Sequence, residues 1–231
     1  MDSSEECSKM ATILTKVLNI VDAIIPAGHP NRPGKKLLVS GVTIHNTDNT
    51  NKGADAKAHS KFLIKTGYYM LQGKKHYVSW HFTVDDHEIY HHLPTDEIGW
   101  HAGRGNTKTL AIEICMNAGI DHSAANKRAA QLAAGLLHDF KLDITCLYSH
   151  NHWTGKVCPK LLLDHHHEGA KWIAFKALVA EAAAELASGK RAILSKEPAH
   201  IDPKHLHYTI EDETNEIDHH SLILPEEDLT K

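Results

Sequence analysis

Within nine residues, His150-Asn-His-Trp-Thr-Gly-Lys156-Val-Cys158 brings together imidazole, ammonium and thiol, and Pro159 closes the run. These are the parts of a zinc site that performs hydrolysis. Zinc takes neutral imidazole and thiolate at about 2.0 to 2.3 Å, and a catalytic site uses about three protein ligands while keeping one position open for water. His150 and Cys158 could supply two of the three. In a chain with 21 histidines among 231 residues, chance also brings a His near a Cys, and His152 stands close enough to compete for the same metal. Support has to come from other segments.

Three segments supply it. Val42-Thr-Ile-His45-Asn-Thr alternates and is β-branched, which reads as a strand ending in a histidine and a polar turn. Val78-Ser-Trp-His81-Phe-Thr-Val-Asp-Asp86 is followed by Glu88-Ile-Tyr-His-His-Leu-Pro94 and by Gly99-Trp-His101-Ala-Gly103. Leu110-Ala-Ile-Glu113-Ile-Cys115 sets a carboxylate in the middle of an apolar strand. A charge buried between hydrophobic neighbours is expensive without a partner and perturbs the pKa of the group that carries it.

In this order, IHNT, SWHFTVDD, GWHAG, an IEIC strand and H-x-x-W-x-G-K-x-C-P, the chain resembles the N-acetylmuramoyl-L-alanine amidases of phage endolysins and bacterial autolysins. That family also includes peptidoglycan recognition proteins. The resemblance runs from about Ala23 to Lys176, two thirds of the chain. It implies that His45, His150 and Cys158 bind zinc, that Glu113 is the acid or base, and that Lys156 lies beside the metal. It also implies the reaction, cleavage of the amide between the lactyl group of N-acetylmuramic acid and the L-alanine of the stem peptide. Chemistry supports each role: zinc makes hydroxide available near neutral pH, a carboxylate shuttles the proton, and a fixed positive charge stabilises the oxyanion.

Some relatives carry a tyrosine where this chain has Trp80, so the proton-transfer role falls to Glu113 and Trp80 is given none. The six residues from His150 to Lys156 match the family spacing, which selects His150 over His152. Trp80, His81, Trp100 and His101 are expected to contact substrate. For His81 and His101 a satisfied structural histidine or a group behind the ligands is the alternative, and for Trp100 it is core packing. The runs Asp164-His-His-His-Glu168 and Asp218-His-His220 read as solvated surface, because adjacent residues point in different directions.

With 42% hydrophobic and 23% charged residues, the chain suits one globular domain with extensions. A net charge of -4 gives no reason to expect nucleic acid as a partner, and no stretch reaches the ~20 apolar residues of a membrane span. Cysteines 7, 115, 146 and 158 lack disulfide-scaffold density. Cys158 is assigned to metal and Cys115 to packing, so disulfide stabilisation is not expected, with Cys7 and Cys146 as the one pairing left open. The acidic opening Met1-Asp-Ser-Ser-Glu-Glu is unlike a secretory leader, so a route such as release by lysis, or a missing leader, is expected.

Alternating strands and helices indicate an α/β fold, a central mixed sheet flanked by helices. Strands are expected at about 41–45, 78–85, 87–92, 110–115 and 145–149, and helices at 54–66, 124–141 and 168–188. The zinc residues would then converge at one edge of the sheet. Residues 1–22 read as an N-terminal extension, 23–190 as the zinc amidase domain and 191–231 as an acidic tail with ten acids against four bases, a net of -6. Low hydropathy leads to the expectation that this tail is flexible. The expected protein is a monomer acting on the cell wall, extracellular or released by lysis, with peptidoglycan as its partner. The rival functions are a peptidoglycan-binding protein without catalysis and an amidase of soluble muropeptides. Recognition proteins that lose the metal typically lose the cysteine, and recycling amidases usually carry aspartate there, so Cys158 argues against both.

Overall fold

The computed structural model describes residues 18–188. A six-stranded mixed sheet runs through the molecule in the order β1-β6-β5-β7-β2-β8, from β1 (Ile20–Asp22), β2 (Gly41–Asn46), β5 (Phe82–Val84), β6 (Ile89–His91), β7 (Thr109–Ile114) and β8 (Leu147–Ser149). Strands β5, β7, β2 and β8 are parallel, whereas β6 is antiparallel to β5. This is the expected mixed sheet flanked by helices. A separate hairpin of β3 (Tyr68–Leu71) and β4 (Lys74–Tyr77) stands beside it.

The strands alternate, and the two faces differ in chemistry. Val42, Ile44, Leu110, Ile112, Ile114, Phe82 and Val84 point one way and join the main core. That face is covered by α2 (His122–Asp139) and α4 (Ala170–Ala187), which pack on each other through residues such as Leu132, Leu136, Trp172, Phe175 and Val179. Each such side chain contributes about 1.5–3 kcal/mol when fully buried. Asp121 starts α2 by accepting from the N–H groups of Ser123 and Ala124. The opposite face carries Thr43, His45, Thr109, Glu113 and Thr83, all interleaved with the core residues. Helix α1 (Ala56–Lys65), capped by Asp55, covers part of it with Phe62 and Leu63 against Trp80.

Several boundaries differ from the sequence expectation. The stretch 78–85 narrows to Phe82–Val84, because the N–H groups of Val78 and Ser79 leave the ladder for the carbonyls of Gly67 and Trp100. The β3–β4 hairpin is absent from that expectation, since Lys74-Lys75-His76 lacks apolar alternation. Its turn is made by Gln72 and Gly73, both at positive φ (49° and 73°), the conformation of a two-residue hairpin turn. Strand β1 pairs with β6 although it falls in the 1–22 stretch read as an extension, so the sheet takes in residues before Ala23. Residues 191–231, Cys7 and the Asp218–His220 run lie outside the described residues. No helix among the described residues is long and apolar enough to cross a membrane.

Candidate active site

Three adjacent parallel strands deliver the chemistry to one end of the sheet. His45 near the end of β2 stands in register with Glu113 near the end of β7, and His150 follows directly after β8 on the other side of β2. Open α/β sheets bind ligands outside the carboxyl ends of their strands, which is where these residues lie. The convergence is therefore at a sheet end, built across β7-β2-β8.

His150 opens a short helix, α3 (His150–Thr154). Ser149 caps it by accepting from the N–H of His152, and Gly155, in the left-handed region at φ 78°, ends it. The chain then doubles back to bring Lys156 and Cys158 to the same place. Asn151 holds this return: its side-chain amide donates to the carbonyls of Gly155, Lys156 and His166, and its N–H donates to Cys158 O. Asn46 performs the matching task from β2, with its N–H on Cys158 Sγ at 3.4 Å and its side chain bonded to Ile114 O and to the N–H of Leu161.

The result is a buried cluster in which donor atoms of His45, His150 and Cys158 lie within 4.8 Å of one another. His45 Nδ1 is 3.8 Å from Cys158 Sγ and 3.8 Å from Glu113 Oε1. His150 Nδ1 and Glu113 Oε2 are buried without a hydrogen-bond partner among the described residues. Burial holds His45 well below the usual imidazole range and His150 down to about 3, with the Lys156 ammonium acting in the same direction on both. Both imidazoles are neutral and hold lone pairs. Burial also pushes the Cys158 thiol up to about 12 and Glu113 up to about 8, although Lys156 opposes both shifts. Two neutral imidazoles, a thiol and an unpartnered carboxyl in one enclosure form a donor set short of positive charge. That is the chemistry a zinc ion completes, since a coordinating thiol is deprotonated outright.

A cleft of about 290 Å³ opens onto the cluster, lined by Glu113, Lys156, Trp100 and His101 and by Tyr69 and Tyr77 of the hairpin, among others. The family model described as N-acetylmuramoyl-L-alanine amidase matches residues 34–161, a span that holds every one of these groups. The chain belongs to the N-acetylmuramoyl-L-alanine amidase family.

Among curated amidases, CwlH of Bacillus subtilis (strain 168) is 43% identical over 154 residues, covering 64% of this chain and 58% of CwlH. XlyA of the same strain is 41% identical over 165 residues, covering 70% of this chain and 51% of XlyA. The chain thus spans about half the length of the curated relatives it matches. The solved structure of the XlyA catalytic domain superposes with a TM-score of 0.61 at 41% identity, over 70% of this chain and 99% of that one.

Within this amidase-family site the residues expected from sequence separate into groups. His45, His150, Cys158, Glu113 and Lys156 come together. His152 does not: it is exposed on the far side of α3, its ring 4.8 Å from those of Tyr148 and Trp153. Trp100 lines the cleft 6.3 Å from the Tyr77 ring. Trp80 also lines it, but is 4% exposed and spends its indole N–H on Thr83 Oγ1. His81 corrects the expectation of substrate contact. It is fully buried, with Nε2 donating to Glu97 O and Nδ1 accepting from the N–H of Ala111, so its ring serves the backbone. His165 to His167 are exposed, while Asp164 accepts from the N–H of Lys171 at the start of α4. Sequence reasoning missed Tyr69, Tyr77, Asn46 and Asn151. The two tyrosines belong to the unexpected hairpin, and the asparagines act through backbone groups distant in sequence.

Proposed function

We propose that this chain is a zinc-dependent N-acetylmuramoyl-L-alanine amidase that cuts the bond between N-acetylmuramic acid and L-alanine in peptidoglycan. The observation that carries the reading is the enclosure of His45, His150 and Cys158 together with Glu113 and Lys156 at the foot of one cleft. His45, His150 and Cys158 would hold a zinc ion through two imidazoles and a thiolate, and the ion would supply Lewis-acid chemistry, activating water near neutral pH and polarising the amide carbonyl. Glu113 takes the proton released as the nucleophile attacks and returns it to the leaving nitrogen of L-alanine. Its unpartnered Oε2 is free for that exchange. The Lys156 ammonium stabilises the oxyanion as the carbonyl carbon becomes tetrahedral, an effect strongest where water is excluded. Tyr69, Tyr77 and Trp100 provide aromatic walls for the glycopeptide around the scissile bond.

The acting unit in this reading is the monomer, because one chain supplies every member of the group, and its place of action is the cell wall. Incubating the full chain with purified peptidoglycan, with and without a chelator, tests the reading by mass spectrometry of the released ends. Stem peptides with a free L-alanine amino terminus, lost on chelation and restored by zinc, are expected. Sedimentation with the wall and no new ends would replace the enzyme by a binding module. Cleavage of soluble muropeptides alone would move the substrate class.

A further inference from the structure

The donor that faces the cluster from β2 is one of two nitrogens on the same ring, and something has to decide which of them is bare. A histidine nitrogen that carries hydrogen is no ligand. The other nitrogen, His45 Nε2, lies 3.1 Å from His101 Nδ1, and His101 Nε2 lies 3.3 Å from the carbonyl oxygen of Thr109. A carbonyl only accepts, so His101 Nε2 carries the hydrogen, and a neutral His101 then presents a bare Nδ1. His45 Nε2 must donate to it. That leaves His45 Nδ1 bare on the side of Cys158 Sγ and Glu113 Oε1.

The end of this relay is itself anchored. Thr109 opens β7, the strand of Glu113, and its hydroxyl donates to Gly105 O while facing Thr43 Oγ1 at 2.7 Å. Thr43 Oγ1 accepts in turn from the indole N–H of Trp153 on α3, at 2.9 Å. Hydrogens therefore run in one direction from Trp153 to Thr43 to Thr109 to Gly105. A Cβ on Gly105 would stand 2.9 Å from Trp153 Nε1, so a side chain at 105 would displace the indole. The two chains of hydrogen bonds meet at Thr109 and tie together the elements that carry His45, Glu113 and His150.

We propose that His101 is a positioning residue that fixes the tautomer and ring orientation of His45 for metal binding, with Thr109 O as the terminal acceptor, rather than a residue that binds substrate. Both of its ring nitrogens are engaged, which leaves it no polar atom for a glycopeptide. This inference rests on the reading of His45, His150 and Cys158 as the metal site, but its first readout does not. In the full-length, metal-free chain labelled with 15N-histidine, ring nitrogen shifts report which nitrogen of His45 bears hydrogen, the signal being assigned by its loss in His45→Gln.

Hydrogen on Nε2 is expected; hydrogen on Nδ1 overturns the relay whatever the metal does. The second readout is equilibrium competition for Zn2+ against a chromophoric chelator. His101→Leu, which removes both hydrogen bonds, is expected to weaken Zn2+ binding about 10- to 100-fold. His101→Gln is expected to recover most of that, because a carboxamide can accept from His45 and donate to Thr109 O. Wild-type affinity in a folded His101→Leu chain, or equal losses in both variants, would sink the assignment. If His101→Leu fails to fold, the wild-type tautomer decides. A wild-type chain that binds no Zn2+ at all would instead remove the metal reading under which the relay matters, and the two failures are distinguishable.

Discussion

The polar face of the sheet holds two sets of buried histidines, and they differ in what their nitrogens do. His81 has both satisfied by backbone, and His92 shares Thr83 Oγ1 with the Trp80 indole, so these rings knit loops to strands. His150 turns a nitrogen without a hydrogen-bond partner among the described residues into the cluster it shares with Cys158, and His45 turns one that meets only the Cys158 thiol and, at 3.8 Å, the Glu113 carboxyl. Both sets are equally removed from water. Under the proposed reading, burial alone does not mark a functional histidine in this protein; an open lone pair that converges with others does.

Replacing members of the converging set should separate the sets most sharply. Under the proposed reading, Cys158→Ser or His150→Ala is expected to remove bound zinc and to lower amidase turnover by about 10³-fold or more, because a three-ligand site cannot lose one ligand and keep its geometry. Metal analysis and release of L-alanine ends would check this together. A variant that retains stoichiometric zinc and full turnover would detach that residue from the cluster's function. Glu113→Gln stands next. Zinc content should remain, while turnover falls about 10²- to 10⁴-fold as the proton acceptor is lost. Undiminished turnover in the Glu113→Gln variant would take the carboxyl out of the mechanism.

His81, with both ring nitrogens satisfied, should fail differently. His81→Leu strips partners from Glu97 O and the N–H of Ala111 deep in the sheet. Each buried group left unpaired costs about 1–3 kcal/mol, so a loss of about 2–6 kcal/mol is expected in urea unfolding. The molecules that remain folded should bind Zn2+ like wild type. A stable His81→Leu chain with weakened zinc binding would reverse the distinction drawn between the sets.

How far the sequence disclosed this division follows from the range of each signal. Strand periodicity places β2 and β7, and helical periodicity places α2 and α4, because alternation and three- and four-residue steps are local. The ordered motifs carry His45, Glu113, His150, Lys156 and Cys158 to their places. His81 is misread from sequence because Trp80-His81-Phe82 and Ile44-His45-Asn46 present the same local pattern, an imidazole among strand formers. Only the pairing of His81 with residues 97 and 111 tells them apart, and that pairing is tertiary. The β3–β4 hairpin escapes for a related reason: its outer face is lysine-rich, and its aromatic contribution to the cleft depends on the turn at Gln72 and Gly73.

The smallest effect, and the one that reads both regions in one experiment, is the pH dependence of stability in the metal-free protein. Burial lowers His81 to about 4 and His92 to about 3, and lowers His59 as well. In the unfolded chain these rings titrate near 6.5. Between those values the unfolded state binds more protons than the folded one, so stability is fully present above about pH 6.5 and is lost as the pH falls. Glu113 runs the other way. Its folded value of about 8 lies above the usual carboxyl range. The folded chain therefore keeps a proton that the unfolded chain has released, and stability declines as the pH rises toward 8. One proton sets that slope, so the decline is at most about 1.4 kcal/mol per pH unit. Urea midpoints measured with a chelator from pH 4 to 8 should thus pass through a maximum near 6.5. In Glu113→Gln the alkaline limb should flatten while the acid limb, carried by the buried histidines of both sets, stays. An alkaline decline that survives in Glu113→Gln would show that the buried carboxyl is not its source.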